Sequence, residues 1–214
     1  MNGVKFDDKH SITDWGLLMT YKSIGEAVLR TNYISVPGRD GYLDLTEAYG
    51  QVYYDNRTLE FQFDLFDKPA TWWQTYDEIK AYLHGKNRKI ILDVDNGYYY
   101  YGRCSVSALT HEKTVAHIAV TCNCDPYKML LFETVIEKNV KIGDKIILNN
   151  LFKKVMPKVE SSENIVFKFN DIQFSLNSDT IFQSPDFVLE EGNNLVEIVD
   201  GTGILKFTYH EGIV

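Results

Sequence analysis

Cysteine is scarce, with only three residues in 214. That is too few for a disulfide framework, and it suits a chain made and kept in a reducing cytosol. No apolar run approaches the roughly 20 residues needed to cross a bilayer as a helix. The opening Met1-Asn-Gly-Val-Lys-Phe-Asp-Asp has no basic stretch followed by an apolar core, so no secretory signal is expected. Cationic residues are in deficit: 22 Lys and Arg against 30 Asp and Glu leave a net charge of −8. Such a field repels polyanions, and no stripe of Lys and Arg interleaved with aromatics interrupts it. Specific nucleic-acid binding is therefore disfavoured, although an acidic, non-adhesive wall would suit a passage for DNA.

What is abundant points to strands. Aromatic residues make up 14% of the chain, mostly Tyr and Phe, beside many Val, Ile and Thr. The length allows one large domain or two small ones, each able to bury a core. Residue usage shifts near positions 130 to 135: all five arginines, all three tryptophans and thirteen of the fourteen tyrosines come earlier, and only Tyr209 follows. With no Gly/Ser linker at the shift, two closely joined domains are expected, spanning 1–133 and 134–214.

In the first domain a helix is expected over 71–84. Trp72, Tyr76, Ile79 and Leu83 recur along one helical face. Thr71 and Gln74 have the spacing of a capping box, Lys80 complements the helix dipole, and Gly85 is a natural terminator. Strands surround it: Leu59-Glu-Phe-Gln-Phe-Asp-Leu65 alternates strictly, and 114–124 places Ala116, Ile118, Val120, Cys122 and Cys124 on one face. Asn96-Gly97 separates two further strands and reads as a tight hairpin turn. The second domain reads as all-β. Short alternating pieces such as Ile165–Phe169 and Ile204–Tyr209 are divided by turn signals at Gly143-Asp144, Asn170-Asp171 and Asp200-Gly-Thr-Gly203. A small β-sandwich is the architecture that fits.

Catalytic constellations are hard to find. His10, His84, His111, His117 and His210 are scattered, and none forms a pair at metal-binding spacing. Cys104, Cys122 and Cys124 lack a second close pair for zinc and read as buried, reduced thiols. Asp93 and Asp95 lie on one segment rather than across a cleft, unlike a glycosidase pair. Asp44, Glu47 and Asp55 match no calcium loop. Neither an enzymatic activity nor a cofactor is expected. The segment that stands apart is Val36-Pro-Gly-Arg-Asp-Gly41 and the polar, tyrosine-rich stretch after it. Its turn residues suggest a protruding hairpin suited to clasping a neighbour. Tyr98 to Tyr101 form a second candidate surface, on which a sugar or another subunit could stack.

The order and spacing of several motifs resemble the distal tail protein family of long-tailed phages. They are Gly38-Arg-Asp-Gly41, Asn56-Arg57-Thr-Leu-Glu-Phe61, the Trp-containing helix ending in Leu83-His-Gly-Lys86, Ile90 to Asp93, Tyr100-Tyr-Gly-Arg103 and Asp125-Pro-Tyr127. Leu189-Glu-Glu-Gly-Asn-Asn194, Gly201-Thr-Gly203 and Phe207-Thr-Tyr209 continue the pattern. This resemblance implies a mainly β fold: an N-terminal β-sandwich with one α-helix and an extended hairpin belt over about 34 to 58, then a small galectin-like C-terminal sandwich. It also implies a structural role in a phage or prophage virion. Six copies would form a ring joining the tail tube protein to a tail-tip hub, baseplate, fibre or lysin protein, with DNA passing through without specific binding and no membrane involved. The protein would be made in the bacterial host cytoplasm and end at the virion tail tip. Arg39, Asp40, Tyr42, Tyr49, Tyr53 and Arg57 become candidates for the subunit interface. The rival expectation is a carbohydrate-binding adhesion module. The C-terminal domain, lacking both Trp and Arg, offers no evident sugar site of its own.

Overall fold

The computed structural model describes residues 2–214 and divides into two compact units, Met1–Lys128 and Met129–Val214. In the first unit the strands are β1 (Val4–Phe6), β2 (Lys9–His10), β3 (Leu17–Ile24), β4 (Tyr33–Ser35), β5 (Tyr42–Asp44) and β6 (Arg57–Leu65). Helix α1 (Trp72–Leu83) follows, then β7 (Asn87–Leu92), β8 (Tyr98–Val106), β9 (Thr110–His111) and β10 (Ala116–Cys124). Strand β11 (Lys128–Leu130) spans the point of division.

Seven of these strands hydrogen-bond in the order β2-β1-β7-β8-β10-β6-β3, and the short β9 pairs with β10. The sheet curls so that distant strands meet across one core. Phe6 of β1 packs edge-on against Phe61 of β6, 6.0 Å between ring centres. The strict alternation of Leu59, Phe61, Phe63 and Leu65 supplies one wall, and Ala116, Ile118, Val120, Cys122 and Cys124 continue it on the paired strand. Trp72, Tyr76, Ile79 and Leu83 close the core from the helix, as their spacing dictates. The Tyr76 hydroxyl donates to the Ser107 carbonyl at 2.9 Å, anchoring α1 beyond the end of β8.

Two local expectations are corrected. The capping box does not form. Pro69 starts a 3-10 turn over Pro69–Thr71 that runs directly into α1, so Thr71 is already helical (φ −100°, ψ −11°) and its hydroxyl donates to Asp67 and the Lys68 carbonyl instead. The connection between β7 and β8 is also longer than an Asn-Gly turn. Asp93–Asp95 form a 3-10 turn and Asn96 has right-handed dihedrals. Tertiary partners impose this shape. Asp93 accepts from the Gly3 backbone at 2.9 Å and bonds His10 Nε2 at 3.0 Å, while Asp95 pairs with Lys128 at 2.6 Å.

The second unit contains β12 (Thr134–Val140), β13 (Lys145–Asn150), β14 (Lys158–Ser161), β15 (Ile165–Phe169), β16 (Ile172–Leu176), β17 (Ile181–Phe182), β18 (Gly192–Asp200), β19 (Gly203–Tyr209) and β20 (Gly212–Ile213). Two four-stranded antiparallel sheets, β12-β19-β14-β17 and β13-β18-β15-β16, face each other as a sandwich. Phe167, Phe187 and Phe207 are fully buried at its centre, with Phe167 and Phe187 rings 5.1 Å apart. The mainly β architecture with a single helix therefore agrees with the sequence reading.

Candidate functional site: the exposed arm

Between β3 and β6 the chain leaves the sheet for more than thirty residues and returns alongside itself. The excursion begins where Gly25 donates to the Thr58 carbonyl at 2.8 Å. A Cβ on Gly25 would lie 2.7 Å from that same carbonyl oxygen, so glycine is what permits the two legs to start this close. Asp55 N donates to Val28 O and Arg30 N to Tyr53 O, both at 2.8 Å, and Leu29 bridges Tyr54. Farther out β4 and β5 pair, with Tyr33 opposite Asp44 and Ser35 opposite Tyr42. Gly38 (φ +80°) and Gly41 (φ +75°) shape the tip around Arg39 and Asp40. The returning leg carries a compact turn at 45–50, ended by Gly50 at φ +82°.

This arm has no core. No residue from 26 to 56 is buried, yet many are apolar: Tyr49 is 83% exposed, Tyr42 70%, Val28 62% and Tyr33 55%. Large apolar groups held in water on an ordered ladder make the arm a candidate interaction surface. Its internal bonds are modest: Arg30 pairs with Asp55, and the Tyr33 and Tyr42 rings lie 6.3 Å apart. The Thr46 hydroxyl and backbone N–H both serve Asp44, holding its carboxyl below the usual range.

Five of the six candidate residues sit together on this arm. Arg39 and Asp40 are at the tip, Tyr42 is on β5, Tyr49 is in the returning turn and Tyr53 is near the root; all five are exposed. Arg39 and Asp40 form no ion pair with each other within the protomer. Arg57 is different. It heads β6 with its side chain on the core-facing side, 7% exposed, and its guanidinium lies 5.6 Å from the centre of the Tyr100 ring. Extending the alternation of Leu59, Phe61 and Phe63 back by two residues already puts Arg57 inward, a signal that the sequence reading did not use.

The remaining polar clusters have structural partners. Cys104 and Cys122 face each other on β8 and β10 with sulfurs 3.2 Å apart, and their mutual hydrogen bond and burial push the Cys122 thiol upward. Burial raises the Cys124 thiol to about 12. His117 pairs with Asp64 at 2.7 Å on the outer face of β10 and β6. Burial opposes ionisation of Asp93, but the bonds from His10 and Gly3 outweigh it and lower its pKa. Among the described residues no three His, Cys, Asp or Glu side chains converge as a metal site. Nor is any described helix long and apolar enough to cross a membrane. An open groove of about 520 Å³ runs over the outer face of β7, β8 and β10, lined by residues including Asn87, Tyr101, Arg103, Thr121 and Asn123.

No protein-family model and no curated protein matches this chain. Among solved structures, the crystal structure of the Dit protein of phage SPP1 matches with a TM-score of 0.71 at 14% sequence identity, covering 100% of both chains. That protein is described as a paradigm of the hub adsorption apparatus in phages that infect Gram-positive bacteria. The two chains share one fold from end to end.

Proposed function

We propose that this chain is a structural subunit of a phage or prophage tail tip. In this reading it is a distal tail protein that assembles as a hexameric ring between the tail tube protein and the tail-tip hub, baseplate, or tail-associated fibre or lysin protein. The arm of each copy clasps the next. Arg39, Asp40, Tyr42, Tyr49 and Tyr53 provide the contacts. The second unit is a galectin-like sandwich, and DNA crosses the ring without specific binding.

The observation that carries this reading is the coreless arm, on a chain whose fold matches a phage hub protein over its whole length. An ordered ladder that buries nothing of its own gains stability only when another surface covers it. The net charge of −8 suits a DNA passage and gives no support to an adhesive one. Light scattering after size exclusion, over a concentration series, tests the proposal on the intact chain and on one lacking residues 36–55. A hexamer that the deletion converts to folded monomer supports the ring and its clasp. A hexamer that survives the deletion refutes the clasp.

A second reading, glycan binding, draws on the groove over β7, β8 and β10. Tyr101, 41% exposed, lies there beside Asn87, Arg103 and Asn123, a platform with planar hydrogen-bonding groups. Chemical-shift changes at those residues on adding a glycan library would favour it, and a silent titration would dismiss it.

A further inference from the structure

Arg57 fits poorly into its own protomer. Four of the five arginines have a partner or lie in open solvent: Arg30 pairs with Asp55, Arg88 with Asp7 at 2.8 Å, Arg103 donates to the Gly85 carbonyl, and Arg39 is exposed. Arg57 alone is buried with no carboxylate in reach among the described residues. Its Nε is buried and donates to nothing. An unpaired buried cation is costly and calls for an explanation, and a partner outside the protomer is one that would complete it. Among the described residues nothing accepts a hydrogen bond from its terminal nitrogens, and 7% of the residue stays open to solvent. Tyr100 forms a shelf beneath the guanidinium. The result is a guanidinium packed over Tyr100 and narrowly open to solvent, at the root of the arm. A guanidinium so placed matches a carboxylate in bidentate geometry.

The structure points to a donor for that carboxylate. Of the five acidic residues between 26 and 56, Asp44 is engaged by Thr46 and Asp55 by Arg30. Glu26 lies beside the root glycine. That leaves Asp40 and Glu47, and Asp40 sits at the tip, exposed and unpaired. Fifteen residues separate it from Gly25. The outgoing leg from Gly25 to Ser35, where the tip turn begins, spans at most about 33 Å at about 3.3 Å per residue. The paired legs hold the tip away from Arg57 of the same protomer, so only another copy could bring Asp40 to it. We infer that Arg57 is the receptor for Asp40 of a second copy of this chain, an ion pair that seats the arm of one protomer at the root of the next. This rests on the reading of the arm as a clasp.

The test measures self-association of the full chain by sedimentation velocity across a concentration series, with thermal melts in parallel. Asp40→Asn changes a solvated tip residue and leaves folding intact. It is expected to weaken association about 30-fold or more, as loss of one partner from a desolvated charge pair does. Arg57→Gln is expected to weaken association similarly while leaving the melting temperature of the dissociated chain unchanged or higher, because it removes an unpaired buried charge. The double variant is expected to be no weaker than the worse single variant, since both remove one bond. Glu47→Gln is the control and should associate normally. Normal association of Asp40→Asn, or additive losses in the double variant, would overturn the pairing while leaving the clasp standing. An intact chain that stays monomeric throughout would overturn the clasp as well.

Discussion

Replacing Tyr49 by Ala should separate folding from assembly in a single variant. The side chain is 83% exposed and belongs to a segment without one buried residue, so its removal takes almost nothing from the protomer. A surface change of this kind shifts folding stability by no more than about 0.5 kcal/mol. If a neighbouring copy covers the ring, the same truncation forfeits about 1.5–3 kcal/mol of apolar burial per contact. That corresponds to roughly a 10- to 150-fold weakening. In a closed ring of six every subunit loses one such contact, so the concentration midpoint moves by about the same factor. Light scattering on a dilution series reads the midpoint, and circular-dichroism melts read the fold. Val94→Ala is the matched control, an apolar residue 63% exposed but outside the arm, and it should change neither quantity. An unchanged association midpoint for Tyr49→Ala would show that the exposed tyrosine is not an anchor. A melting temperature lowered by several degrees would show that the arm is part of the protomer's own core.

Two further outcomes test the packing and the electrostatics. Gly102→Ala should destabilise the first unit by about 1–3 kcal/mol in urea titrations, by overpacking. Its Cβ would lie 2.3 Å from the Asn123 carbonyl oxygen and 2.5 Å from Cys124 Cα, both backbone atoms of the paired strand. The Tyr209 hydroxyl donates to the Asn149 carbonyl at 2.5 Å, and burial together with the Glu211 carboxylate raises its pKa from 10.0 to about 12. A tyrosine that holds its proton more tightly when folded contributes stability that is complete below pH 10 and declines as pH rises from 10 towards 12. Tyr209→Phe should therefore show a shallower loss of stability over that window than the parent chain, and identical slopes would refute the assignment.

The sequence disclosed the fold where one period governed. Trp72, Tyr76, Ile79 and Leu83 could face a core only from a helix, and Leu59 to Leu65 could bury one face only as a strand. Local signals failed where tertiary contacts decided. Thr71 has the right spacing for a capping box, but Pro69 starts the helical turn earlier and diverts its hydroxyl to Asp67. Asn96-Gly97 is a strong turn pair, yet Gly3, His10 and Lys128 hold Asp93 and Asp95 in a wider bend. The arm was legible from its glycines, proline and tyrosines because little else in the chain shapes it beyond the Tyr54 ring near the root, 6.0 Å from that of Tyr127. The absence of a partner for Arg57 was not legible, since it depends on every carboxylate that the fold keeps away from it.

The arm and the cores draw on separate sets of residues, and this has a consequence for how such a chain diverges. A substitution between 26 and 56 removes no buried side chain, so it escapes the stability threshold that restrains change in β6, β10 or α1. The surface of the arm can therefore be rewritten one residue at a time while the chain goes on folding. If the arm clasps a second copy as proposed, what limits that drift is a matching surface encoded by the same gene, so each change in the clasp would have to be answered by a change in the root that receives it.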